Sequence, residues 1–224
     1  ESDGSFTKVL PTYSIITNID REHMDFYKSM KNLFEKFEKF LEKVPSFGKS
    51  IICIDDKNNK KLIKLTKLKN FYSFGKDSVS NFQIKNITYK KNSSKFDILV
   101  NLPGKKKLAI RNFIIPLLGL HNVRNATAAV AVTFIIGIST KIIKKGLAKF
   151  KGVQRRFNKL FTYNNVEFFD DYAHHPTEIK EVLNGVKKSY LNKKIISIFQ
   201  PHRISRLNDL SSDFSKSFKN SDLV

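Results

Sequence analysis

A single cysteine, Cys53, stands among 224 residues, which excludes an intrachain disulfide and makes a reducing, cytoplasmic setting the expectation. No apolar run is long enough to cross a bilayer; the best stretch, 126–138, is too short and too rich in Ala and Thr. The opening Glu1-Ser2-Asp3-Gly4 has neither a basic start nor an apolar core, so it does not read as a signal peptide. Lacking an initiating Met, it is expected to lie inside a longer chain. Acidic residues are scarce, 20 against 41 Lys and Arg, for a net charge of +21. Such a balance can mark nucleic-acid or anionic-membrane binding. Here the excess is mostly Lys, scattered among Asn and Ile, with no aromatic-basic stacking motif and no finger spacing. A solvated surface accounts for most of it, and a share remains to attract polyanionic ligands. The chain also has no G-x-x-x-x-G-K-[ST] phosphate loop, no internal repeat and no low-complexity linker.

What is present suits a packed core: 41% of residues are hydrophobic, including 20 Phe and 7 Tyr. Residues 13–19 are short, apolar and β-branched, as a buried strand requires, and end in the polar turn Asp20-Arg21-Glu22-His23. Met30, Leu33, Phe34, Phe37, Phe40 and Leu41 then recur at helical spacing, predicting a helix over 24–44 that Pro45 and Gly48 stop. A second buried strand, 51–54, completes a strand-helix-strand unit, the signature of a parallel α/β sheet. Between 70 and 115 the pattern changes to short strands divided by Lys-Asn-Ser turns, predicting an antiparallel β subregion. Helices are predicted over 122–136 and 139–149, and a domain break near Lys151-Gly152. Beyond it come strands at 166–169 and 194–199 and helices at 176–189 and 205–218, with Pro176 suited to a first helical turn.

Five polar clusters sit at strand ends or helix starts, where open α/β sheets bind ligands. In Thr17-Asn18-Ile19-Asp20-Arg21-Glu22-His23-Met24-Asp25, an imidazole beside carboxylates could hold a divalent ion or could be a helix-capping turn, and spacing alone favours neither. Gly119-Leu120-His121-Asn122-Val123-Arg124-Asn125 opens a helix, and capping explains its amides better than base recognition does. Arg155-Arg156-Phe157 offers forked donors suited to phosphate, a weak signal in so basic a chain. Asp170-Asp171-Tyr172-Ala173-His174-His175-Pro176-Thr177-Glu178 carries more titratable groups than a structural turn needs, which favours chemistry. Phe199-Gln200-Pro201-His202-Arg203-Ile204-Ser205-Arg206 follows an apolar strand, and Arg203 and Arg206 would share a face if helical, able to grip a carboxylate.

Taken in order, these five motifs resemble the Mur ligase family, on the side that adds the first amino acid, and the resemblance covers nearly the whole chain. Two departures are mild: Leu118 and Leu120 flank Gly119 where Pro and a polar residue are commoner, and Ala173 replaces a commoner Gly. The resemblance implies a central ATP-binding domain over 1–152, its phosphate loop lying upstream, and the start of a Rossmann-like α/β amino-acid-binding domain over 153–224. It implies ATP-dependent ligation of L-alanine to UDP-N-acetylmuramate through an acyl phosphate, with Mg2+ as cofactor, no nucleic acid as partner, and no activity for this chain alone. His23 would ligate the metal, with Glu1 a weaker candidate. His121, Asn122 and Asn125 would hold adenine. Arg156 would reach the ATP phosphates or ribose, assisted by Asp170 or Asp171. Tyr172, His174 and His175 would line the reacting junction, and His202, Arg203 and Arg206 would bind the alanine carboxylate. A murein-peptide-recycling ligase is the nearest alternative, and it should lack the 199–206 pattern. A non-catalytic nucleotide- or RNA-binding module is the alternative from another class.

Overall fold

The computed structural model describes residues 3–224, so Glu1 lies outside the described residues. The chain divides into two compact units, described in turn: Glu1–Ile87 with Phe96–Phe113 and Arg124–Leu147, and Thr88–Lys95 with Ile114–Val123 and Ala148–Val224.

A six-stranded sheet in the order β1-β2-β3-β4-β5-β6 organises the first unit. Strands β1 (Tyr13–Ile16), β2 (Lys49–Cys53), β3 (Phe71–Gly75) and β4 (Phe82–Lys90) pair parallel in sequence order, with Ile15 opposite Ile51 and Ile51 opposite Tyr72. The two residues joining β4 to β5 (Ser93–Val100) can only reverse the chain, so that pair runs antiparallel; Asn92 takes φ 66° to make the turn. β6 (Leu108–Ile115) closes the sheet. Apolar residues fill its faces, with Phe74, Phe82, Phe96 and Phe113 fully buried. Against one face pack α1 (Met24–Tyr27), α2 (Met30–Glu42) and α3 (Lys57–Thr66), around a core of Ile16, Ile19, Leu33, Phe34, Leu41, Ile52 and Leu62. α4 (Leu120–Ile135) and α5 (Thr140–Lys149) follow the sheet.

The helix predicted over 24–44 is broken. Lys28 takes φ 64°, and Ser29 starts a new helix by accepting a hydrogen bond from Asn32 N through its side chain. α3 escaped prediction because its Lys- and Asn-rich sequence buries little besides Asn59 and Leu62, leaving no apolar stripe to read. β3 was absorbed into the expected antiparallel subregion, yet it pairs parallel on both sides.

In the second unit, β7 (Asn158–Tyr163) and β8 (Val166–Asp170) form an antiparallel hairpin. Asn164 and Asn165 turn it, both at positive φ, a conformation Asn tolerates. α6 (Pro176–Ser189) matches its predicted bounds and lays Ile179, Leu183 and Val186 on a core shared with Leu118, Tyr190, Ile195, Leu210 and Phe214. The helix predicted over 205–218 is two, α7 (Ile204–Asp209) and α8 (Ser211–Ser217), separated at Leu210, whose φ of −124° is not helical. The strand predicted over 194–199 is reduced to one bridge, Ile196 to Leu223. Ile198, two residues on from Ile196, is 95% exposed.

Candidate functional site

In the first unit, the polar turn after β1 is held from α3. Asn58 Nδ2 donates to Ile19 O at 2.6 Å, and the buried Asn59 Nδ2 donates to Thr17 O at 3.2 Å and Cys53 O at 2.9 Å. Two amides thus fix the carboxyl ends of β1 and β2 in the loop that carries His23. His23 itself takes φ 55° as the cap of α1, and its Nδ1 lies 3.9 Å from Glu22 Oε1. Among the described residues no group of three or more His, Cys, Asp or Glu side chains could hold a metal ion. Mg2+ usually keeps several waters and takes one or two protein ligands beside phosphate oxygens. The His23 turn therefore fits it as one contributor to a shared shell and does not form a cage.

At the end of β2, Asp55 accepts from the backbone N–H of Lys76 and Asp77, and from Arg124 Nε on α4 at 2.9 Å. The pair joins residues 69 apart in sequence, and no local pattern announces it. Cys53, next to this site, has its thiol pushed up by burial. Asn125 lies exposed on α4.

The second unit gathers most of the candidate residues. Asn122 Nδ2 donates to Leu118 O at 2.7 Å, which ties the first turn of α4 to the loop before it. That loop rests on α6: a Cβ on Gly185 would lie 2.8 Å from Gly119 Cα, so the approach needs a glycine at 185. A Cβ on Gly119 would itself strike the His121 ring, at 2.8 Å from Cε1.

The Arg155-Arg156-Phe157 turn is bound to the segment after β8 at several points. Phe157 N donates to Asp171 Oδ2 at 2.8 Å, while Ala173 N donates to Asp171 Oδ1 at 2.7 Å. Burial pushes the Asp171 carboxyl above its ordinary range, and these two N–H donors only partly offset it. Arg155 Nε lies 3.6 Å from Asp170, and its guanidinium sits over the Tyr172 ring at 4.7 Å. The Phe157 and Phe169 rings stack at 4.3 Å. Arg156 Nη1 donates to Glu178 Oε1 at 3.1 Å.

Two adjacent imidazoles are held in opposite tautomers. His174 Nδ1 lies 2.9 Å from Tyr172 O, and a carbonyl can only accept, so Nδ1 carries a proton and in the neutral ring Nε2 holds the lone pair. His175 Nδ1 accepts from Thr177 N at 3.3 Å, so in the neutral ring its proton resides on Nε2. His175 caps α6 in a capping box completed by Glu178, with Pro176 following as the first helical residue.

At the fifth motif, Arg206 is the one of the three candidate side chains His202, Arg203 and Arg206 that stands within a helix, so the two arginines do not share a helical face. Arg206 is buried, and its Nη1 donates to His202 O at 3.2 Å. Arg203 is the N-cap of α7, exposed, at φ 67° and ψ 107°. His23, Arg155, Phe157 and Arg203 all hold positive φ without being Gly, a strain that clusters at ligand-binding turns. Sequence reasoning gave no role to Glu178, Asp55, Arg124 or the Asn58-Asn59 pair. Only Glu178 had a local signal, as the acidic third residue after a helix cap.

Residues 2–133 match the Mur ligase middle domain, and residues 155–224 match the Mur ligase glutamate ligase domain. The chain belongs to the Mur ligase family. It is 66% identical over 224 residues to the UDP-N-acetylmuramate–L-alanine ligase of Pelagibacter ubique, covering all of this chain and 48% of that protein. The enzyme of the same name from Bartonella tribocorum is 39% identical over 225 residues, again covering the whole chain and 47% of the relative. Among solved structures, the UDP-N-acetylmuramate-alanine ligase of Thermotoga maritima superposes with a TM-score of 0.76 at 27% identity, over 99% of this chain and 47% of that one. A murein peptide ligase from Psychrobacter arcticus reaches 0.61 at 24% identity over 97% of this chain and 43% of that one, and shares the fold. The chain thus spans about half the length of the relatives it matches. No helix among the described residues is long and apolar enough to cross a membrane.

Proposed function

We propose that the protein containing this Mur ligase chain joins L-alanine to UDP-N-acetylmuramate, with ATP, in the cytoplasm, as a step in peptidoglycan precursor synthesis. The observation that carries this reading is the second unit's cluster: two arginines, two aspartates, a phenol and two tautomer-fixed imidazoles tied into one turn. Its support from relatives is the name borne by proteins 66% and 39% identical along the whole chain.

In this reading the sugar's lactyl carboxylate attacks the terminal phosphorus of ATP, giving an acyl phosphate and ADP. The alanine amine then adds to the acyl carbon, and the tetrahedral intermediate expels phosphate and yields a proton and the amide. Arg156 neutralises phosphoryl charge, and Asn122 with the Asn125 amide and His121 receives adenine. The turn fixed by Asp170 and Asp171 sets where Arg156 stands. Tyr172, His174 and His175 border the acyl centre, and His174 Nε2 offers a lone pair toward a proton on the amine. His202, Arg203 and Arg206 hold the alanine carboxylate. Mg2+, when bound with His23 as one ligand, supplies charge neutralisation on the phosphates. Holding both substrates in one orientation supplies the proximity part of the rate.

Isotope transfer tests the route. UDP-N-acetylmuramate labelled with 18O in its carboxylate should pass one labelled oxygen to the released phosphate for each amide formed. Amide formation with unlabelled phosphate would refute an acyl-phosphate path.

A further inference from the structure

We infer that Glu178 is a positioning residue of the reaction, a clamp that sets Arg156 and the His174-His175 backbone at a fixed separation. The inference rests on the proposed ligase reading and assigns a role to a residue outside that machinery. Its Oε2 accepts from His174 N at 3.1 Å and His175 N at 3.3 Å, and its Oε1 accepts from Arg156 Nη1 at 3.1 Å. Helix capping accounts for Oε2 alone, since a capping box needs one oxygen on the cap N–H. It leaves Oε1 unexplained, and Oε1 holds the arginine.

Stability does not account for the pair either. Its side chains are 51% and 32% exposed, and ion pairs so exposed add little to folding. What the pair does fix is direction. One nitrogen of the Arg156 fork is occupied by Glu178, which aims the others, and the same carboxylate anchors the backbone from which His174 projects. The His174 ring is steered on its other side by Tyr172 O, and its Nδ1 lies 3.8 Å from Glu178 Oε2. Burial raises the Glu178 carboxyl, but the His174 backbone N–H and the Arg156 guanidinium outweigh it and hold its pKa below the ordinary range. A clamp ionised at neutral pH between the Arg156 and His174 turns keeps phosphate-binding and acyl-facing groups in register. Displacement of a positioned group by about 1 Å can cost on the order of 100-fold in rate.

The test is a double-mutant cycle on the protein expressed over its full reading frame, with nuclear magnetic resonance of the Arg156 guanidinium in the 224-residue chain alongside. E178Q keeps an oxygen for the cap but turns an amide toward Arg156. It should lower kcat by roughly 100-fold, with KM for UDP-N-acetylmuramate within about twofold of native. In an Arg156→Ala background it should add almost nothing, since it acts through that side chain. In the chain alone, E178Q should abolish the slowed rotation of the Arg156 guanidinium while thermal unfolding stays close to native. If E178Q fails to fold, E178D serves with the same expectation, keeping the charge but withdrawing it by one methylene. Additive losses, native rates in E178Q, or guanidinium signals indifferent to it would each overturn the clamp. A native enzyme without ligase activity whose Arg156 signals still depend on Glu178 would sink the ligase reading and support the clamp.

Discussion

Replacing Gly185 by Ala isolates the closest backbone approach in the second unit. Gly in a helix interior costs about 1 kcal/mol relative to Ala, so the substitution alone should stabilise α6 by that amount. The new Cβ, however, would lie 2.8 Å from Gly119 Cα and 3.1 Å from Gly119 N. Both are backbone atoms, so the loop carrying His121 and Asn122 must move. Overpacking of this kind costs about 1–3 kcal/mol, which cancels or reverses the propensity gain. Gly146, inside α5, is the matched control, since a Cβ there meets nothing within 4 Å. G146A should raise Tm by roughly 2–4 °C, and G185A should fall below it by on the order of 2 kcal/mol, or roughly 4–8 °C. Differential scanning calorimetry of the three proteins decides it. An equal rise in both variants would refute the packing of the Gly119 loop on α6.

Asp171→Asn offers one acceptor oxygen where the carboxylate offers two, so either Phe157 N or Ala173 N loses its partner. The expected loss is about 1–3 kcal/mol in urea unfolding, and an unchanged midpoint would contradict the geometry. For Glu178, whose carboxyl is held below its ordinary range in the folded chain, stability is contributed above the unfolded value and lost as pH falls through the folded one. The Tm gap between native and E178Q, worth under about 1 kcal/mol at this exposure, should therefore be full at neutral pH and close in acid. Tyr190, its hydroxyl bonded to Asn92 Oδ1 at 2.7 Å and its pKa pushed up to about 12 by burial, should contribute an absorbance change at alkaline pH that Tyr190→Phe removes. Its unfolded counterpart ionises near 10, so folded stability should decline as pH rises past that value. Cys53, buried with its thiol raised, should resist a disulfide reagent until the chain is denatured.

Much of the fold was legible wherever apolar periodicity met a clear stop signal. The strand and helix faces led by Ile16, Ile51 and Ile179 are of this kind, and α6 is bounded by Pro176 in sequence as in space. Failures fall where tertiary contacts replace local pattern. α3 is dominated by Lys and Asn, and its work is done by Asn58 and Asn59, whose targets lie about 40 residues away in sequence. Helix 24–44 breaks at Ser29 because a side-chain cap outcompetes continued periodicity. The candidate clusters were legible because their motifs are contiguous, and Asp171 and Glu178 each accept backbone hydrogen bonds within the segment that joins β8 to α6. Partnerships between clusters were not. The Arg156–Glu178 and Asp55–Arg124 bonds depend on how the chain returns to itself, and no spacing rule encodes that.

Phosphate release from ATP and UDP-N-acetylmuramate, with and without L-alanine, decides whether the protein is an alanine-adding ligase. The 224-residue chain should be compared with the protein expressed over its full reading frame. Alanine-dependent release is expected from the longer protein and none from the chain, which contains no phosphate loop. Release from the chain alone, or a folded longer protein silent with every omission and addition, would contradict that expectation.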